Sequence, residues 1–318
     1  MPTGSVLRNP LDGASHGVYG KSLTHLTATV FLLAAFVAGL VACRESSESR
    51  ASSFDGRRAL ALVERQMALG PRPVGSSAHA ATQEWIRAEL VGAGWRVREQ
   101  AAEAMGHPIK NLVGFRGPEP ARILVGAHYD TRLVADRDPD SGLLAEPSPG
   151  ANDGASGVAV LLELARILPQ NGPAVELVFF DAEDNGRIPG WDWVLGSTAY
   201  VAAIQDRPEA VVIVDMVGDR DLQLHYEGNS DPALRSSIWA LADELGYDKY
   251  FIPSVGHSLL DDHTPFLEAG IPAVDIIDFD YAHWHTTQDT MDKLSWQSLE
   301  VVGETLRVWL ASFTELPS

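Results

Sequence analysis

Five short segments of this 318-residue chain concentrate acid and imidazole side chains. They are His128-Tyr129-Asp130, Asn152-Asp153-Gly154, Asp181-Ala182-Glu183-Asp184, Asp215 and Trp284-His285-Thr286. One aspartate at a strand end is commonly a turn former, but five such segments are hard to explain as caps. Zinc binds imidazole nitrogen and carboxylate oxygen, and a catalytic zinc keeps one position free for water or substrate. The residue types therefore indicate a catalytic metal site with an Asp, Asp, His ligand set.

Apolar runs that predict buried strands precede most of these segments. Predicted strands at 95–98, 111–115, 123–127, 175–180, 210–214 and 273–277 alternate with predicted helices at 59–69, 80–93, 156–168, 196–204, 233–245 and 295–315. This alternation predicts an α/β single domain with a central mixed, mostly parallel twisted sheet that helices flank on both faces. Ligands of such sheets bind beyond the carboxyl ends of the strands, so we expect the five segments to converge at one edge.

The N-terminal region has the features of an export signal. Arg8 and Lys21 precede an apolar run from Leu26 to Ala42, which is typical of a secretory signal. The tetrapeptide Leu40-Val41-Ala42-Cys43 resembles the bacterial lipobox, whose cysteine is lipidated, and Cys43 is the only cysteine of the chain. An uncleaved membrane anchor is the alternative interpretation.

These patterns divide the chain into three parts. We predict a lipoprotein-type signal peptide at 1–43, a flexible tether at 44–53 and a zinc-dependent catalytic domain at 54–318. We expect an exported protein that is attached to a membrane through an N-terminal lipid anchor, on the periplasmic side or at the cell surface.

The charge balance is strongly acidic. With 43 acidic and 24 basic residues, the formal net charge is -19, which argues against nucleic acid as a partner and against sequence-independent binding to anionic lipid. We interpret the surplus mainly as a solubility feature. Part of it remains available for a cation site or for attracting positively charged N-termini.

Longer segments around the acid clusters resemble a known family. The segments are Leu124 to Asp130, Gly150 to Leu164, Phe179 to Gly186, Asp261 to Pro272 and His283 to Leu294. They are similar to the zinc aminopeptidase superfamily, and more similar to its glutaminyl-peptide cyclotransferase branch, which comprises bacterial enzymes related to animal glutaminyl cyclases. The resemblance implies conversion of N-terminal glutamine of peptides or proteins to pyroglutamate, with release of ammonia.

The resemblance also implies a role for individual residues. Asp153, Asp184 and His285 would bind one zinc ion, and Glu183, next to Asp184, would transfer protons as a general acid and base. Aspartate at position 184 departs from the glutamate that is common in animal cyclases and in aminopeptidases.

Further residues would hold the substrate. Asp215 and Asp261 would form a carboxylate hydrogen-bond network for the α-amine and the leaving amide. Trp284 would wall the pocket for the glutamine side chain, and Trp191 or Trp193 would form its opposite lip.

A dizinc aminopeptidase is the alternative function, because His128 and Asp215 would hold a second zinc with Asp153 bridging the two ions. As a network residue, His128 would instead hydrogen-bond the acids. The acid at Asp261, Trp284 and the tryptophan-bearing loop from Asn185 to Leu195 favour the cyclase. A third reading is a catalytically silent binding lipoprotein, which the presence of Glu183 and of all the ligands disfavours.

Overall fold

A computed structural model of the protein describes residues 53–315. The predicted signal peptide with Cys43, and all of the predicted tether except Ser53, lie outside the described residues. Within the described range, no helix combines the length and the apolar character needed to cross a membrane.

Seven α-helices occur in the described range. They are α1 (Gly56–Met67), α2 (Ser77–Gly92), α3 (Ala155–Ile167), α4 (Leu195–Ala203), α5 (Pro232–Glu244), α6 (Thr264–Glu268) and α7 (Trp296–Ala311), with 3-10 helices at Met291–Lys293 and Ser312–Glu315. Side chains of Asp55, Ser76, Asp231 and Ser295 accept backbone N–H groups at the starts of α1, α2, α5 and α7, as N-cap residues do. The six predicted helices are confirmed to within a few residues. The sequence missed α6, whose five residues are too few to show a helical period.

Eight strands form two sheets. The strands are β1 (Arg96–Ala104), β2 (His107–Arg116), β3 (Ile123–His128), β4 (Val175–Phe180), β5 (Ala210–Asp215), β6 (Leu224–Tyr226), β7 (Phe251–Val255) and β8 (Ala273–Ile277). The main sheet has the order β1-β2-β4-β3-β5-β8, and β6 pairs with β7 separately. Pairs β1–β2 and β2–β4 are antiparallel, whereas β4, β3, β5 and β8 run parallel. This topology confirms the predicted mixed, mostly parallel sheet.

The strand β1 is longer than the sequence predicted. Its nine residues are mostly exposed or half-buried, so it lacks the apolar run that marks the central strands. A two-residue turn of Met105 and Gly106, with φ of 52° and 84°, joins it to β2. Two successive positive φ values give the turn geometry that favours a hairpin, and the turn extends the pairing from Arg96 to Ala104.

Helices cover the main sheet on both faces. Along β5, Val212 and Val214 pack in the larger core with α1, α3 and α7, whereas Val211 and Ile213 pack in a second core with residues of α4 and α6. This alternation follows from the two-residue period of a strand. Because both faces are buried, β3 and β5 are apolar along almost their whole length.

The carboxyl ends of the parallel strands share one edge of the sheet. His128 ends β3, Asp215 ends β5, and the acid-rich segment 181–184 follows β4 directly. The loop that precedes α3 brings Asp153 to the same edge, as the hydrogen-bonding distances there establish. The expected convergence of the polar segments is therefore present.

Candidate active site

Two buried carboxylates fix the loops at this edge. Asp130 accepts hydrogen bonds from the backbone N–H of Glu183 at 3.1 Å and of Asp184 at 3.4 Å. Asp289 accepts the backbone N–H of Asn152 at 2.8 Å and that of Asp153 at 3.1 Å. Both carboxylates accept backbone N–H groups of the residues whose side chains form the site. The loops are therefore held through their backbone, and the side chains remain available for a ligand.

The backbone is left-handed at three points of the site. Ala182, Met216 and His285 have φ of 53°, 47° and 58°, a region that non-glycine residues rarely adopt. Ala182 precedes Glu183, Met216 follows Asp215, and His285 is itself a predicted ligand. Such conformations persist only where the surroundings enforce them, and they concentrate at functional sites.

The three predicted zinc ligands lie together. Candidate ligand atoms of Asp153, Asp184 and His285 are all within 4.8 Å of one another. His285 Nε2 is 2.7 Å from Asp184 Oδ1 and 3.7 Å from Asp153 Oδ2. Ligands of a tetrahedral zinc are separated by roughly 3.3 Å, so the group has the right size and chemistry for the ion.

Unsatisfied atoms in this group provide a test of the fit. Asp153 Oδ2 and Asp184 Oδ2 are buried and have no hydrogen-bond partner among the described residues. A buried carboxylate oxygen without a partner is costly unless a cation or a proton compensates it. The two orphaned oxygens therefore match a bound zinc ion.

A second group shares Asp153 with the first. His128 Nε2 is 3.1 Å from Asp153 Oδ1 and 3.2 Å from Asp215 Oδ1. Candidate ligand atoms of these three residues also lie within 4.8 Å of one another. The position of His128 therefore fits both alternatives, a hydrogen bond to the neighbouring acids and the binding of a second metal ion.

The second nitrogen of His285 faces a carboxylate that the sequence analysis did not select. His285 Nδ1 is 3.5 Å from Asp136 Oδ1, and Arg132 donates two hydrogen bonds to that same carboxylate, at 2.8 and 2.7 Å. Arg132 also donates to the carbonyl oxygens of Asp184 and Gly186. This pair orients the imidazole so that Nε2 points toward Asp184, as carboxylates behind ligand histidines commonly do.

The electrostatics of the group are those of crowded buried acids. Burial, with the charge of Asp153 adding to it, raises the pKa of Asp184 to about 6. Burial alone would lower the pKa of His285, but the carboxylates of Asp184 and Asp136 raise it to about 9. The carboxylates thus favour positive charge at this point, which a divalent cation would supply.

The predicted acid-base residue also lies in this environment. Glu183 is buried, and burial, reinforced by Asp261, holds its pKa well above the usual range. Burial and the charge of Asp215 raise the pKa of Asp261 to about 7. A carboxyl group that both accepts and returns a proton during a reaction requires a pKa raised above its ordinary value.

Asp215 and Asp261 each form a hydrogen bond with a different partner. The Asp215 carboxylate bonds to His128 at 3.2 Å, and no hydrogen bond to Asp261 is formed among the described residues. Asp261 instead accepts the backbone N–H of Asp262, because the turn directs one carboxylate oxygen to its own chain. The two acids interact through charge.

Behind Asp261 lies a further buried acid-imidazole group. Asp261, His263 and Asp275 place candidate ligand atoms within 4.8 Å of one another, and His263 Nε2 is 3.1 Å from Glu227 Oε2. Neither His263 nor Asp275 is predicted as a site residue from the sequence. The imidazole of His263 lowers the pKa of Asp261 and so partly opposes the effects of burial and of Asp215.

A cavity of about 350 Å³ opens over the predicted ligands. Five carboxylic side chains line it, those of Asp153, Glu183, Asp184, Asp215 and Asp261, together with Trp193, Trp284, Leu259, Ile277 and Phe279. Its chemistry combines acids that can hold an amine and a metal with walls suited to an uncharged side chain.

The two indole rings of the cavity lie near the imidazole of His285. The centroid of the Trp284 ring is 3.8 Å from that of His285, and the Trp193 centroid is 6.0 Å away. Gly186 is required for this packing, since a Cβ there would lie 2.0 Å from the Trp193 ring. Trp191 does not line the cavity, because its ring stacks on His107 at 3.5 Å. Of the two predicted lip residues, the structure therefore places Trp193 at the site and not Trp191.

Arg72 is a structural residue of the site that the sequence analysis left without a role. It is fully buried and donates to the carbonyl oxygens of Tyr129 at 3.1 Å, Pro149 at 3.2 Å and Gly150 at 2.6 Å. It thereby joins the loop after β3 to the loop before α3. Burial lowers its pKa to about 10, so it stays charged at neutral pH.

Residues 111–310 match the family model for peptidase family M28. Among solved structures, the chain is similar to Porphyromonas gingivalis glutaminyl cyclase, with a TM-score of 0.78, 36% identity and coverage of 82% of this chain and 100% of that one. It is also similar to a Zn-dependent exopeptidase from Parabacteroides distasonis, with a TM-score of 0.77, 31% identity and coverage of 82% and 99%. Glutaminyl-peptide cyclotransferase of Gloydius blomhoffii is 24% identical over 291 residues, covering 76% of this chain and 77% of that protein.

Proposed function

The chain belongs to peptidase family M28, and we propose that within it the protein is a zinc-dependent glutaminyl-peptide cyclotransferase. The observation that carries this proposal is the cavity in which Glu183, Asp215 and Asp261 face one space beside the predicted ligands. The similarity to bacterial and animal glutaminyl cyclases supports it.

In the proposed reaction, the α-amine of the substrate attacks its own γ-amide carbon, and no water is added. Asp153, Asp184 and His285 would hold a zinc ion, which would polarise the γ-carbonyl group. Glu183 accepts a proton from the attacking amine and returns it to the departing nitrogen. One C–N bond forms, the amide C–N bond breaks, and ammonia leaves.

Asp215 and Asp261 hold the amine during this sequence. Both carboxyl groups line the cavity, and burial raises the pKa of each. An acid whose pKa is raised accepts a hydrogen bond from the amine and has less tendency to form the ion pair that would keep the amine protonated. The amine therefore remains nucleophilic.

A dizinc aminopeptidase is the second candidate. The group of His128, Asp153 and Asp215 favours it, because Asp153 bridges two sets of candidate ligand atoms. The similarity to a Zn-dependent exopeptidase supports it as well.

The deciding experiment uses purified protein with a glutaminyl dipeptide amide and an alanyl dipeptide amide. The cyclase releases ammonia and a pyroglutamyl product from the first, leaves the second intact and contains about one zinc per chain. The peptidase releases a free amino acid from both and contains two. Turnover of neither substrate by zinc-loaded protein would contradict both functions and leave the silent binding lipoprotein.

We also propose that the protein is exported and anchored through a lipid on Cys43. The basis is the apolar run that ends in Leu40-Val41-Ala42-Cys43. Expression in a bacterium with radiolabelled palmitate should label the full chain, and Cys43→Ser should abolish the label. Equal labelling of both forms would contradict the anchor.

A further inference from the structure

The cavity reverses its charge between floor and opening. Its acidic lining residues are all buried, as are Met216 and Ile277. Four lining residues are exposed, namely Arg137, Arg187, Ser258 and Leu260. Among these described rim residues the only charges are the two arginines. An acidic floor thus lies beneath a basic rim, in a chain whose net charge is -19.

Both arginines are available for a ligand. In the described part of the chain, no carboxylate oxygen comes within the 4.0 Å ion-pair distance of either guanidinium, although most other arginines on the surface are paired with an acid or with a carbonyl oxygen. Arg137 lies over the Trp284 ring, 4.4 Å from its centroid, and its backbone N–H donates to the His285 carbonyl at 3.2 Å. Arg187 follows Gly186 in the loop that carries Trp193, with a φ of 64°.

Two nearby exposed acids are paired with other side chains. Asp136 is engaged by Arg132 at 2.7 Å, and Asp280 is 3.0 Å from His257 Nε2. Neither residue lines the cavity.

The position of the rim determines which part of a substrate it meets. If the glutamine side chain and the α-amine occupy the floor, the peptide must leave through the opening. The next Cα is only about 3.8 Å further along the chain, so the residue that follows glutamine lies at the rim. Guanidinium groups bind carboxylates through two parallel hydrogen bonds.

We infer that Arg137 and Arg187 select substrates that carry a carboxylate on the residue following the N-terminal glutamine. This inference rests on the proposed cyclase function. The carboxylate has two sources, an acidic side chain at the second position or the free C-terminus of a dipeptide. Arg137 and Arg187 act on binding, because neither is placed at the reacting atoms.

The test compares kcat/KM for four substrates. The glutaminyl-glutamate amide is compared with the glutaminyl-glutamine amide to measure side-chain selection, and glutaminyl-alanine with its amide to measure selection of the free C-terminus. We expect the wild type to prefer the carboxylate in at least one pair. Arg137→Gln and Arg187→Gln should each reduce that preference by roughly 2- to 5-fold, the range for exposed ion pairs, through KM and not kcat.

Arg207→Gln is the matched control. Arg207 is exposed, lacks a carboxylate within 4.0 Å among the described residues and precedes the start of β5, at the opposite edge of the sheet. Arg207→Gln changes the net charge by the same amount as each rim variant, but it should keep the wild-type preference for the carboxylate. The lysine variants at 137 and 187 should keep most of it, and raising salt from about 0.05 to 0.5 M should shrink it.

The possible results separate a failure of this inference from a failure of the proposed cyclase function. If the neutral amides are cyclised but the double variant Arg137→Gln, Arg187→Gln keeps the wild-type preference, the inference is overturned and the cyclase function stands. If Arg137→Gln lowers the turnover of all four substrates equally, Arg137 only supports the Trp284 ring. This outcome overturns the inference as well. Failure to cyclise any glutaminyl substrate overturns the proposed function, and this inference with it.

Discussion

Asp136→Ala should weaken zinc binding about tenfold, or roughly 1.4 kcal/mol. Carboxylates that hold the second nitrogen of a ligand histidine contribute roughly 10- to 100-fold to metal affinity. We expect the lower end here, because Asp136 Oδ1 is 3.5 Å from His285 Nδ1 and the Asp136 side chain is 44% exposed. Competition between metal-free protein and a chromophoric chelator measures the affinity directly.

The turnover measurement separates orientation from chemistry. At saturating zinc, Asp136→Ala should recover near wild-type kcat, since Asp136 does not line the cavity. Asp140→Asn, in the same loop and exposed, is the matched control and should leave affinity unchanged. If Asp136→Ala binds zinc as tightly as the wild type, the orienting role is refuted. If Asp140→Asn loses as much zinc affinity as Asp136→Ala, the effect belongs to the loop as a whole.

Four further predictions concern catalysis and stability. Glu183→Gln should keep its zinc while turnover falls roughly 10²- to 10⁴-fold, and an unchanged rate would remove Glu183 from the reaction. Arg72→Met should lower the free energy of unfolding in urea by about 2–4 kcal/mol, because three charge-assisted hydrogen bonds are lost and only partly offset by the relief of burying a cation; a change below about 0.5 kcal/mol would contradict this. Burial raises the pKa of Asp278 to about 7, so the folded protein retains a proton that the unfolded chain releases, and stability should fall as pH rises from about 4 to 7. Asp278→Asn should remove this fall and gain a few kcal/mol at pH 8, whereas parallel pH profiles would disprove it. Removing zinc with a chelator should lower the thermal midpoint of unfolding. The free energy of unfolding should fall by about 4 kcal/mol if the free zinc concentration before removal was a thousandfold above its Kd. An unaltered midpoint would exclude the ion from the folded state.

The sequence predicted the fold well where burial leaves a simple pattern. The strands β3, β4, β5 and β8 are apolar because both of their faces are covered, and their bounds were predicted within a residue. The exposed edge strand β1 and the short β6, β7 and α6 lack such a pattern, so β1 was predicted too short and the other three were missed.

The site was predicted only in part, for a physical reason. Asp153, Asp184 and His285 stand at strand ends or in loops with distinctive composition, and the structure brings them together. Supporting residues have no such signal, because their role arises from contacts between distant positions. Arg72 and Gly150 are 78 positions apart, and neither residue type by itself indicates the contact.

The surplus of acidic residues was interpreted from the sequence mainly as a solubility feature, but many of these residues are buried. Fourteen acidic side chains are buried in the described part of the chain, against two arginines and no lysine, so much of the surplus lies inside and does not serve solubility. Buried carboxylates require hydrogen bonds, protons or a cation. Backbone N–H groups satisfy Asp130 and Asp289, and these two in turn fix the loops that leave Asp153 Oδ2 and Asp184 Oδ2 without partners. Beside the predicted ligands, the carboxylates of Asp130 and Asp289 are thus hydrogen-bonded and hold the loops, whereas Asp153 and Asp184 keep the unpartnered oxygens at which a divalent cation would bind.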